Sequence, residues 1–221
     1  MRILPFLTVV VVLTGASALS QEPSVDRAIV EAEFDRNTFS EDIVRIFHRK
    51  FGDAATPVLM DILAAPESNA LKKGKASFYL GVMGESSALP EVVRFIEDPV
   101  QGELPDGYRL GLYFAIGGIG FLAQNDQEAF TYLMKMNSIQ YWTTRIKENN
   151  MRFSGQTEEK TLDFILTAGY SALACTGTTQ GLDALERIYH APEGRSTTGL
   201  DTAIDALKSR IMRLNAESTQ D

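Results

Sequence analysis

One cysteine, two histidines and one tryptophan are all that a sequence of 221 residues carries of these types, and the scarcity excludes several chemistries. A single thiol, Cys175, forms no internal disulfide and supplies no multi-thiolate zinc site, and His48 and His190 alone do not make an all-histidine site. Basic charge is short as well. With 21 Lys plus Arg against 29 Asp plus Glu the net charge is -8, so the cationic footprint that nucleic acid or an anionic membrane surface requires is missing. Beyond the first twenty residues no apolar run approaches the roughly 20 positions that a spanning helix needs. What remains is an ordinary globular composition, 44% hydrophobic and 23% charged, with length enough to bury a core.

The beginning of the chain is the exception. Met1-Arg2 is followed by the apolar run Ile3 to Leu13 and then by Gly15-Ala16-Ser17-Ala18, after which the sequence turns polar at Gln21-Glu22-Pro23. A short positive start, an apolar stretch too short to span a membrane and an A-x-A site predict a cleaved signal peptide over 1–20. Its removal takes away Arg2 and no acid, leaving a mature chain one charge more acidic than the whole. The expected destination is periplasmic or extracellular. With one thiol, stability in an oxidising compartment must come from packing.

Four stretches of the mature chain share a plan: an apolar run, a glycine, a few small or polar residues, then a second run with helical spacing. Ser40 reads as an N-cap ahead of Ile43, Ile46, Phe47 and Phe51, Gly52 as the cap that closes that helix, and Pro57 as the first turn of the next. The second unit runs Ala76 to Gly84 and then Ala88-Leu89-Pro90 through Ile96, again with proline in the first turn. The third has Tyr113 to Gly120 followed by Asn125 to Leu133, and the fourth Ala168 to Gly177 followed by Gly181 to Tyr189. Each predicts a helical hairpin. A last amphipathic helix over Gly199 to Leu214 would turn Leu200, Ala203, Ile204, Leu207, Ile211 and Leu214 inward, with acids early and bases late along its length.

The run Ala76, Leu80-Gly81 and Gly84, followed by Ala88-Leu89-Pro90 and Val92, Val93 and Ile96, resembles a HEAT or HEAT-like repeat, and Ala172-Leu173, Gly177, Leu182 and Leu185 are similar. The resemblance covers most of 40–215 as a pattern, with the second unit the close match. It implies an all-α fold, a right-handed α-solenoid of helical hairpins. Gly52, Gly84, Gly120 and Gly177 are 32, 36 and 57 residues apart, and the long third interval is read as an insertion near 137–160. Tetratricopeptide arrays compete, with a period near 34. Their Trp, Leu-Gly and Tyr anchors do not recur here, whereas glycine between paired helices does.

Few constellations invite chemistry. Gly118-Ile119-Gly120-Phe121-Leu122-Ala123 matches G-x-G-x-x-A, but the residues about 20 positions on include no acid, and close helix packing with a turn accounts for the glycines. Cys175 stands in an apolar run and reads as a small core hydrophobe. Gly169-Tyr170-Ser171-Ala172-Leu173 lacks the second glycine of a serine-hydrolase elbow. The acids Glu31, Glu33 and Asp35, Glu158 and Glu159, and Asp201 and Asp205 follow no calcium-loop spacing. No catalytic residue, cofactor site or metal site is assigned. Tyr141, Trp142 and Arg145 place the only tryptophan beside a cation in the insertion, and are the candidate partner-binding residues, with packing of the extra helix as the alternative.

The sequence thus predicts a signal peptide over 1–20, a polar or helical lead-in over 21–39, a HEAT-like repeat domain over 40–215 and a disordered tail over 216–221. The expected function is an exported scaffold that binds a protein or peptide partner through a shallow concave surface lined by the second helices of its hairpins, without catalysis and without nucleic acid. A small exported enzyme or ligand carrier, with a pocket between 117–123 and the 137–160 insertion, is the alternative from another class.

Overall fold

The structure is a computed structural model that describes residues 27–34, 40–98, 100–191 and 197–217. The signal peptide expected over 1–20 lies outside the described residues, as do most of the lead-in and positions 218–221 of the tail, whereas 216–217 are helical. Within them the chain is all-α apart from one short strand pair. Among these residues no helix is long and apolar enough to cross a membrane.

Helix α1 (Arg27–Phe34) precedes the first hairpin, formed by α2 (Glu41–Phe51) and α3 (Thr56–Ala64). The Ser40 hydroxyl accepts from the Ile43 N–H, Gly52 leaves the helix at φ +57°, and Pro57 sits in the first turn of α3, so the expected caps are in place. Helix α4 (Ala70–Met83) ends on Gly84, whose left-handed φ of +78° lets its N–H return to the Leu80 and Gly81 carbonyls. Helix α5 (Leu89–Glu97) then carries Pro90 in its first turn. Leu80 at 0% exposure and Ile96 at 1% confirm the register read for this unit.

The next segment departs from expectation. Strand β1 (Glu103–Leu104) leads into α6 (Asp106–Leu122), which contains Gly117, Gly118 and Gly120 in its interior, so Gly120 is no hinge. The turn falls later, at 123–126, where the Asp126 carboxylate caps α7 (Gln127–Met136) by accepting from the Glu128 and Ala129 N–H groups. Helix α8 (Ile139–Asn149) is the extra helix of the long interval, followed by β2 (Arg152–Phe153), α9 (Glu158–Cys175), α10 (Thr179–Tyr189) and α11 (Thr197–Glu217). Because α11 extends beyond 199–214 at both ends, its first and last turns carry no acid and no base, and the expected benefit from the helix dipole is lost.

Contacts arrange α2, α4, α6, α9 and α11 side by side in one row, with α3, α5, α7 and α10 packed behind them. Helices α4, α6 and α9 run parallel. A Cβ placed on Gly74 would lie 2.0 Å from the Gly111 oxygen and one on Gly81 2.2 Å from the Gly118 oxygen, so α4 and α6 meet backbone to backbone twice, in the same direction. Gly120 meets Ala172 of α9 in the same way, with 2.2 Å from a Cβ to the carbonyl oxygen. Parallel neighbours joined through antiparallel intermediates exclude an up-down bundle. Strands β1 and β2 pair in parallel just ahead of α6 and α9, and align the starts of those two helices.

Candidate functional site

With one face of the row covered by the second row of helices, the other is open. From Leu110 onward helix α6 is apolar on every side because it is packed between α4, α9 and the second row, and it shows only a narrow strip to this face. That strip is aromatic. Phe78 of α4 stands 6.0 Å from Phe114 and 5.5 Å from Phe121, ring centre to ring centre, and Tyr113 stands 5.9 Å from Phe114 and 6.2 Å from Phe164 of α9. An arginine closes each end: Arg109 lies 5.4 Å from the Phe164 ring and Arg210 of α11 lies 5.1 Å from Phe121. Leu110 and Tyr113 are 41% and 39% exposed, far more than core residues of their type.

Past Phe121 the strip opens into a groove of about 690 Å³ between α9 and α11, with Ser171, Ala174, Cys175, Ala203 and Ala206 on its walls. Glu41 and Arg210 stand across it. The Arg210 Nη1 and Nη2 donate to the two Glu41 oxygens at 2.6 and 3.2 Å, joining the first and last helices of the row, 169 residues apart in sequence. The row is therefore bent toward its open face. Glu41 is also held by Arg45 on its own helix, at 2.7 and 3.1 Å. Burial raises the Glu41 carboxyl, but the hydrogen bonds from Arg210 and Arg45 outweigh it and hold the group below its ordinary value. Burial also pushes the Cys175 thiol up to about 11, so it is a neutral lining group and not a nucleophile at physiological pH.

The candidates in the long interval have a different setting. Trp142 is fully buried, and its Nε1–H donates to the Met136 carbonyl at 2.8 Å, so its indole packs α8 against the fold and offers no surface. Arg145 donates through Nη2 to the carbonyls of Ile96 and Asp98, at 2.8 and 3.0 Å, where α5 ends with unpaired carbonyls. Its Nη1 donates to the Tyr141 hydroxyl at 3.0 Å, and that hydroxyl donates to Glu97 at 3.3 Å. Lys135 pairs with the same carboxylate, and burial of Glu97 is outweighed by these partners, so its carboxyl lies below the ordinary value. Tyr141 and Arg145 line a shallow depression of about 530 Å³ with Gln140 and Glu148. It lies away from Gly117 to Ala123: of that stretch, Phe121 alone lines the groove between α9 and α11, and no residue of 137–160 does.

Residues of chemical interest are otherwise dispersed. Among the described residues no three of His, Cys, Asp and Glu are grouped to hold a metal ion. The aromatic strip is the feature that sequence reading missed; its signal is the i, i+3, i+4 spacing of Leu110, Tyr113 and Phe114, on a helix that Gly111 and Gly118 dock to α4. Comparison with protein-family models, with curated proteins and with solved structures gives no match.

Proposed function

We propose that the chain is an exported scaffold, a HEAT-like α-solenoid that holds a protein or peptide segment along the open face of its first helical row. The observation that carries this reading is the aromatic strip, in which Leu110 and Tyr113 remain exposed beside the half-buried Phe78, Phe114 and Phe164. Apolar and aromatic side chains left in contact with water on a bent face are what a partner's side chains bury, and aromatic and arginine residues are the usual anchors. The parallel run of α4, α6 and α9 supports the solenoid, because each hairpin presents an apolar side until its neighbour covers it. Tyr141 and Arg145 stand outside this face; their hydrogen bonds to the end of α5 fit a structural role.

The test uses the chain without residues 1–20, offered to an extract of the envelope of its source cells. One specific protein is expected to be retained, and Leu110→Asp with Tyr113→Ala should cut retention at least tenfold while the melting temperature holds. Retention unchanged by the pair, or no protein retained by the unaltered chain, overturns the reading.

A further inference from the structure

The groove between α9 and α11 has the size of a small-molecule site and a composition that the partner-binding strip does not need. Most of its lining surface is apolar, with the hydroxyl residues Thr167 and Ser171 on the α9 side and Thr202 and Ser209 on the α11 side. The two hydroxyls on its α9 side are turned to their own helix: Thr167 Oγ1 donates to the Asp163 carbonyl at 2.8 Å and Ser171 Oγ to the Thr167 carbonyl at 2.9 Å. A peptide backbone, which brings a donor and an acceptor per residue, would find no free hydroxyl on that α9 wall. An alkyl chain needs none.

The charged end of the groove is cationic despite the acidity of the whole chain. Arg210 and Arg213 line it with Glu41 as the acid among the lining residues, and Arg45 stands behind Glu41. The Arg210 side chain is only 10% exposed, and its fork already holds a carboxylate in two-point geometry. Glu41 does not depend on that contact alone, because Arg45 keeps it paired. A second carboxylate can therefore replace it without stranding a buried acid, which is the costly outcome of breaking an ion pair.

We propose that this groove binds a long-chain alkyl carboxylate, its head on the Arg210 fork in place of Glu41 and its chain over Phe121, Ala174 and Ala206. The site goes beyond the scaffold reading and occupies the adjoining stretch of the open face, sharing Phe121 and Arg210 with the end of the strip. Binding would release α2 from α11 and so couple the ligand to the bend of the row.

Calorimetry on the chain without residues 1–20 provides the test, with dodecanoate as ligand and dodecanol and dodecyltrimethylammonium as uncharged and cationic controls. Dodecanoate is expected to bind about tenfold or more tightly than either control, Arg210→Gln to remove that preference, and Glu41→Gln to strengthen binding by freeing the fork. Ala206→Trp, which fills the groove and leaves the ion pair alone, should abolish binding and keeps the test open if Arg210→Gln does not fold. Equal affinity for the three ligands, or dodecanoate binding unchanged in Glu41→Gln and Ala206→Trp, overturns the proposal.

Discussion

At the scale of single residues, neighbouring glycines of α6 answer to different surroundings. A Cβ on Gly118 would lie 2.4 Å from the Ser77 carbonyl oxygen, a backbone atom that moves only if the two helices part. One on Gly117 would lie 3.5 Å from the Phe78 ring, an ordinary contact. Gly118→Ala should therefore destabilise the fold by ~1–3 kcal/mol or more, while Gly117→Ala, relieved of glycine's helix penalty, should gain up to ~1 kcal/mol. Chemical denaturation of the two variants checks the difference in sign. Leu80→Ala, at a site with 0% exposure, should cost ~2–5 kcal/mol in the same assay. The sequence made the packing role of the GGIG run legible, since glycines amid large apolar residues allow close approach. It did not show whether they also turn the chain. Gly84 and Gly120 look alike in sequence, yet Gly84 ends its helix at φ +78° and Gly120 faces Ala172 from within the last turn of α6.

Among the elements, α8 shows how a conspicuous set of residues can serve the fold. Tyr141, Trp142 and Arg145 read as candidate binding anchors, with packing of the extra helix as the alternative; here the indole is buried and the guanidinium closes the carbonyl end of α5. Arg145→Ala should leave those carbonyls unpaired and cost ~1–3 kcal/mol, measured by denaturation, with Arg145→Lys recovering part of it. The caps at Ser40, Pro57, Gly84 and Pro90 were legible because each is a local contact within a few residues of chain. The β1 and β2 bridge was not, since its two-residue strands pair across a separation that no local pattern encodes.

For the whole molecule, the long-range fact is the ion pair between Glu41 and Arg210, which bends the row by tying its two ends. Because the folded Glu41 carboxyl is depressed below its ordinary 4.5, its contribution to stability is complete above that value and is lost as pH falls through the lower folded one. Melting temperature should thus decline on the acid side, and Glu41→Gln should flatten this limb; an identical decline in the variant would assign it to other carboxylates. No sequence pattern brings residues 41 and 210 together, so neither their contact nor the groove beside it was legible, whereas the helical hairpins were. The claim that function lies on the open face is tested most directly by placing a photo-crosslinking amino acid at Tyr113, on that face, and separately at Tyr189 on α10 in the second row, both 39% exposed. Irradiation in the envelope extract should join a single partner through position 113 and none through 189. Equal products at both positions, or a partner joined only through 189, would contradict the account.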